Sequence, residues 1–393
     1  MRIMNKYFFA GAVITSFFPL AYFVLPSLFP ISYKLIVLPV AGISAEGESA
    51  VPVKKIISHM TTPSQVKAIY MTNWVAGNKN LRSSLVKIAD DTEINSIVID
   101  IKDYTGRIAF EVYDPILKEI GAYEKRIVDV EEFIEELHKK NIYVIGRISV
   151  FQDKYLVGRR PDLAVKRKSD GGIWKDFKNI SWLDPWSKEV WDYIVALAKE
   201  SYGVGFDELN FDYIRFPSDG NMKDISYPLS NGKIKSEVIG EFFAYLRENL
   251  GDIGAPLSAD LFGMTTTNTD DMNIGQNLEN ALKYFDYVSP MVYPSHYPKG
   301  FNNYPNPAAK PYEVVKFAMD SAVNRAVKAT TTPRKLRPWL QDFNLGATYD
   351  APMVRAQIQA TYDSGLDSWM LWNASNRYTR AALDSEVAQQ AIH

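Results

Sequence analysis

The chain has no cysteine and only 4 histidines among 393 residues. The first absence excludes disulfides, a thiol nucleophile, thiolate–zinc sites and a lipid attached through cysteine. The histidines, His59, His138, His296 and His393, stand far apart, with no His-x-His or His-x-x-x-His pair. A histidine-rich catalytic metal centre is therefore not expected, and nothing calls for a cofactor. Net charge is only −2, so no basic surface invites nucleic acid. No glycine-rich phosphate turn follows the first strand-like run, because Asn73-Trp-Val-Ala-Gly-Asn78 lacks that pattern. Internal repeats and low-complexity tracts are also missing.

Aromatic residues are plentiful at 13%, with 8 Trp and 23 Tyr. Their faces suit the apolar faces of sugar rings, although most such residues fill cores. At the amino terminus, Arg2 and Lys6 precede an uncharged run over 7–33. That run is long enough to span a bilayer, and positive charge before it favours a cytoplasmic amino terminus. The expected organisation is a signal-anchor or transmembrane segment over 1–33, a linker over 34–60 and one catalytic-type domain over 61–393. Cleavage near Gly42-Ile-Ser-Ala45 is the alternative, with secretion in place of anchoring. Either way the domain is expected outside the cytoplasm.

From residue 66 onward, apolar strands alternate with amphipathic helices, the signature of a parallel sheet. Strands are expected over 66–74, 96–103, 143–151, 208–216, 256–263, 287–294, 336–343 and 368–375. Helices are expected over 80–90, 129–140, 187–202, 235–250, 277–285, 312–329, 351–364 and 378–391. Eight of each predict an α/β fold, a (β/α)8 TIM barrel. The long segments over 152–186, 217–234 and 295–311 then follow strand ends and are the expected working loops.

Alternation along each strand sorts inward from outward side chains. Glu208, Asn210 and Asp212 share the polar face of the fourth strand, which turns Asp212 inward at the catalytic end. Asp260 faces inward on the fifth. Two carboxylates on adjacent strand ends are what glycoside hydrolysis needs, one ionised and one protonated. Arg215, three residues beyond Asp212, is expected to keep it ionised as nucleophile or base, which leaves Asp260 as the acid. Asp100 and Lys102 share a face on the second strand, and Asp103 follows at its end. Tyr293 and His296 close the sixth strand and suit a sugar hydroxyl. Trp74, Trp339 and Trp372 suit a stacking platform or the core. Arg147, a charge on the third strand, is expected to pair with a neighbouring acid. Ion pairs that close the barrel top, with Lys102 and Arg215 as counter-ions, are the structural alternative for all these acids.

Four segments carry a family likeness: Val98-Ile-Asp-Ile-Lys-Asp103, Asp212-Tyr-Ile-Arg-Phe-Pro217, Ser258-Ala-Asp-Leu-Phe-Gly263 and Ser289-Pro-Met-Val-Tyr-Pro294. Over 67–376 the chain resembles a bacterial family called "putative glycosyl hydrolase domain", related to glycoside-hydrolase-like lipoproteins and exported poly-N-acetylglucosamine hydrolases. The resemblance implies a TIM barrel acting on polysaccharide outside the cytoplasm. It carries Asp212 over as the leading catalytic residue and leaves the second acid open. A non-catalytic glycan-binding barrel at the cell surface is the competing reading. A metal-dependent hydrolase is disfavoured by the histidine count.

Overall fold

A computed structural model describes residues 57–385. The run over 7–33, and with it the expected anchor or signal, lies outside the described residues. Among the described residues no helix is long and apolar enough to cross a membrane.

Eight parallel strands close into a barrel. They are β1 (Lys67–Met71), β2 (Ser96–Lys102), β3 (Tyr143–Ser149), β4 (Glu208–Asp212), β5 (Leu257–Phe262), β6 (Tyr287–Met291), β7 (Trp339–Gln341) and β8 (Trp369–Trp372). Each pairs with its neighbours in chain order, and β8 pairs back onto β1 through Ala68 opposite Met370. Every residue of β2, β3 and β4 is buried, as expected of strands covered on both faces.

The outer helices each bury one stripe against this barrel. Helix Val130–Lys139 buries Phe133, Ile134 and Leu137, and helix Lys235–Leu250 buries Val238, Ile239, Phe242, Phe243 and Leu246. Helix Lys188–Gly203 starts where the Ser187 side chain accepts the Val190 N–H. The large apolar core lies between strands and helices. A second cluster of Val66, Ala68, Tyr70, Val98, Tyr143, Ile145, Tyr293, Trp339 and Met370 fills the barrel interior.

Three expectations are corrected. β4 ends at Asp212, not at 216, because Tyr213 turns the chain with φ of 54°. β7 is only three residues long, and Pro338 before it has no N–H to offer a ladder. The helix expected over 378–391 is a short turn, Arg380–Ala382, with Ser385 bridging back to Thr92; the remainder lies outside the described residues. The loops after β3 and β4 are tied by a small antiparallel pair, Lys166–Arg167 with Ile225–Ser226.

Candidate active site

The inward face of β4 is read in three layers. Deepest, Glu208 takes two hydrogen bonds from Arg337 Nη1 at 3.0 and 2.9 Å and a third from the Tyr143 hydroxyl at 3.2 Å. That closed ion pair belongs to the barrel interior. Above it, Asn210 Nδ2 donates to Asp260 Oδ1 at 2.9 Å and to Ser258 Oγ at 3.1 Å. At the catalytic end stands Asp212, 5% exposed.

Arg147 joins the acids of three strands. It lies opposite both Asp100 on β2 and Asn210 on β4, so its side chain enters the barrel between them. Its Nη1 donates to Asp100 Oδ1 at 2.6 Å. Its Nε donates to Asp212 Oδ2 at 3.2 Å, and Nη2 bonds the same oxygen. Nε stops 3.8 Å short of Asp260 Oδ2. The guanidinium also lies 5.1 Å from the Trp372 ring and 5.7 Å from that of Tyr70.

One buried cation cannot neutralise three carboxylates, so the deficit must appear as raised proton affinity. It appears on Asp260 and Asp100. Burial, with the Asp212 charge beside it, pushes Asp260 up to about 8, against the opposing pull of Arg147, Asn210 and Trp339. Burial also pushes Asp100 to about 6, although Arg147 and the Tyr70 hydroxyl favour its ionised form. Tyr70 Oη donates to Asp100 Oδ2 at 2.5 Å.

Asp212 is fixed from a second side by the backbone. The Tyr213 N–H donates to Asp212 Oδ1 at 2.5 Å. Tyr213 occupies the left-handed region, which is unfavourable for a bulky residue. That turn aims the N–H back at the carboxylate.

Among the other residues singled out from sequence, Trp339 is no stacking platform. It is 1% exposed, and its Nε1 donates to Asp260 Oδ1 at 2.8 Å. Trp372 packs edge-on against Trp339 at 5.6 Å and stacks on Tyr70 at 4.0 Å. Tyr293 is buried with its hydroxyl held well above the ordinary value by burial and by the Asp260 and Asp212 charges. His296 stands exposed at the rim, edge-on to Tyr293 at 5.3 Å, with Nδ1 and Ser295 Oγ 3.1 Å apart. Asp103 bonds Arg126 Nη1 at 2.6 Å, and the half-exposed Trp74 ring covers that guanidinium at 4.2 Å.

Lys102 and Arg215 depart from expectation. Register slips between Asp100 and Lys102, so Lys102 pairs with the outward Ile148. The bulge breaks the alternation, and Lys102 joins Asp153 at 2.8 Å within the helix layer, both side chains wholly buried. Arg215 makes no ion pair with Asp212. Its Nη1 donates to Phe216 O at 3.0 Å and Ser218 Oγ at 3.1 Å, and Arg147 takes the position expected of it beside Asp212.

Sequence reasoning missed Tyr70, Asn210 as a donor, and the backbone at Tyr213. Tyr70 was accessible by parity, since it shares the inward face of β1 with Ala68. Tyr213 gave no signal, because an aromatic residue does not announce positive φ.

The fold and this arrangement define a parallel (β/α)8 barrel with a cluster of buried carboxylates at the catalytic end of its strands. The family model described as "Putative glycosyl hydrolase domain" matches residues 68–378, and the chain belongs to that family. A hypothetical protein from Ruminiclostridium thermocellum is 43% identical over 49% of this chain and 96% of its own, with a TM-score of 0.45. The PgaB (BpsB) glycoside hydrolase domain from Bordetella bronchiseptica is 14% identical, with a TM-score of 0.58 over 79% of this chain and 94% of that one. An alpha-L-fucosidase isoenzyme from Paenibacillus thiaminolyticus is 12% identical, with a TM-score of 0.53 over 81% of this chain and 47% of that one. The last two establish likeness of fold alone. No curated protein matches the chain.

Proposed function

We propose that this domain hydrolyses O-glycosidic bonds of a cell-envelope or extracellular polysaccharide, with Asp212 as nucleophile or base and Asp260 as acid. The observation that carries the reading is the unequal placing of Arg147, bonded to Asp212 and 3.8 Å from Asp260. It leaves one acid charge-paired and the adjacent one predisposed to hold a proton, the division of labour that glycoside hydrolysis needs.

The chemistry follows from that division. Asp260 gives its proton to the glycosidic oxygen as the C–O bond breaks. Asp212 attacks the anomeric carbon on the opposite face, and water, deprotonated by Asp260, then releases the sugar. Two oxygens 3.2 and 3.8 Å from one nitrogen stand no more than about 7 Å apart. That bound admits the retaining spacing of about 5–5.5 Å and only the short end of the inverting range, in which a water must sit between the carboxyls. Tyr293, Trp372 and His296 are the groups to position the sugar, with Asp100 held by Arg147 and Tyr70, and Asp103 taken up by Arg126.

Placement outside the cytoplasm, anchored or secreted, is part of the proposal and rests on the apolar run over 7–33 behind Arg2 and Lys6. Membrane fractionation of expressing cells tests it. The alternative is a glycan-binding barrel without cleavage. The near-complete burial of both acids, 5% and 1% exposed, favours that alternative. The deciding experiment is a screen of the domain against exopolysaccharides and peptidoglycan, scored for new reducing ends. Hydrolysis lost in both Asp212→Asn and Asp260→Asn supports the enzyme. Binding with no reducing ends from the wild type supports the alternative.

A further inference from the structure

Arg215 is a buried cation that makes no ion pair among the described residues. It is 6% exposed, and among the described residues its protein acceptors are Phe216 O and Ser218 Oγ, both reached by Nη1. Nε and Nη2 have no acceptor among the described residues and remain within reach of solvent. A guanidinium presents its donors as a planar fork that matches two oxygens of one anion. The plane is held ready, with the Phe262 ring at 4.4 Å, that of Trp182 at 4.8 Å and that of Tyr213 at 5.5 Å. Phe262 ends the strand that carries Asp260, and Tyr213 follows Asp212, so the fork sits beside the acids.

Three acids face it electrostatically: Asp219, Asp212 and Asp176. Two are engaged elsewhere. Asp212 is bonded to Arg147 and to the Tyr213 N–H. Asp176 Oδ1 accepts the Lys178 and Ile180 N–H groups at 2.9 Å. Its Oδ2 accepts Trp182 Nε1 at 3.0 Å and Gln152 Nε2 at 3.3 Å. Asp219 alone is a competitor for Arg215. The loop that carries Trp182 also brings Lys178 to the rim, where it is the charged group acting on His296.

We propose that Arg215 anchors a subsite for an acidic sugar, so that the polysaccharide recognised at this mouth carries carboxylate or sulfate groups. This rests on the reading of the barrel mouth as a glycan site, though not on cleavage there. A neutral glycan leaves the fork unfilled, whereas an anionic substituent completes a charge-assisted pair in a desolvated position.

The test is calorimetric binding to Asp260→Asn, which keeps the Asp212–Arg147 pair intact. The probes are short uronate oligosaccharides of glucuronate, galacturonate and mannuronate, each against its carboxyl-reduced counterpart, and sulfated oligosaccharides against desulfated ones. The expected result is tighter binding of an acidic member by roughly 30-fold, lost in Arg215→Gln and partly restored in Arg215→Lys. Asp219→Asn, which removes the competitor, binds at least as tightly as its parent. The class that shows the preference names the anion. Equal binding of every pair, or no binding by any acidic probe, overturns the proposal, and the paired probes decide this even if Arg215→Gln does not fold. Preference for acidic sugars with no hydrolysis by the wild type leaves this subsite standing and removes the catalytic reading. Cleavage of neutral glycans without acid preference does the reverse.

Discussion

The Arg147 guanidinium meets Asp212 through both Nε and Nη2, with Nε 3.2 Å from Oδ2. The remaining nitrogen, Nη1, bonds Asp100. Arg147 thus fixes which of the two adjacent acids, Asp212 and Asp260, is hydrogen-bonded to a cation. Replacing it by Met leaves Asp212 and Asp100 buried without their cation, which costs about 3–5 kcal/mol. Urea unfolding of Arg147→Met is expected to show that loss. Arg147→Lys, which keeps the charge, is expected to recover most of the stability and little of the activity. A change below the error of the measurement in Arg147→Met contradicts the role.

Stability is expected to fall as pH rises. Asp260 and Asp100 have folded-state values raised above their ordinary ones, to about 8 and about 6. Below the unfolded value both states are protonated and nothing is lost. Above it the unfolded chain releases protons that the folded chain retains, so folding loses free energy until pH passes the folded values. The window runs from about pH 4 to about pH 8. Above pH 6.5, where the lowered histidines His59 and His296 no longer contribute with the opposite sign, denaturation midpoints measured up to about pH 8.5 should fall in the wild type, and the fall should be shallower in Asp260→Asn. Equal slopes count against a protonated Asp260.

Trp339 Nε1 donates to Asp260, which favours the ionised form. Trp339→Phe removes that donor and should raise the Asp260 value further. The basic limb of kcat then moves to higher pH, while kcat near neutrality falls through loss of orientation. An unmoved basic limb says that another group sets it.

The left-handed backbone at Tyr213 aims its N–H at Asp212 Oδ1. Tyr213→Gly suits that conformation and keeps the N–H, so it should retain measurable turnover. Tyr213→Pro fixes φ near −65° and deletes the donor, so it should abolish turnover. Circular dichroism of both separates misfolding from loss of the site. Equal activity in the two contradicts the backbone's part in holding Asp212.

The barrel was legible because eight β-branched and aromatic runs recur between helical patterns, and burial on both faces demands such runs. Asp212 and Asp260 were legible because outward positions of β4 and β5 are apolar, which leaves the polar set to face in. Lys102 was misread because a bulge is a register event, and alternation cannot see a register slip. Arg215 was misread because proximity in sequence stood in for direction in space. Tyr213 turns the chain between the two residues, and the Arg215 side chain settles between Trp182 and Phe262, where it bonds Phe216 O and Ser218 Oγ in place of the Asp212 carboxylate.

The roles of Asp212 and Asp260 are separated by leaving-group dependence. An aryl glycoside of the sugar released in the polysaccharide screen expels a leaving group that needs no proton, whereas the polysaccharide itself needs one. In kcat/KM, which reports the first step, Asp260→Asn should lose about 10²- to 10⁴-fold on polysaccharide and far less on the aryl glycoside, while loss of the base slows hydrolysis of the intermediate on both. Asp212→Asn should lose turnover on both. Equal losses on the two substrates in Asp260→Asn, or retained hydrolysis in Asp212→Asn, contradict the assignment of acid and nucleophile.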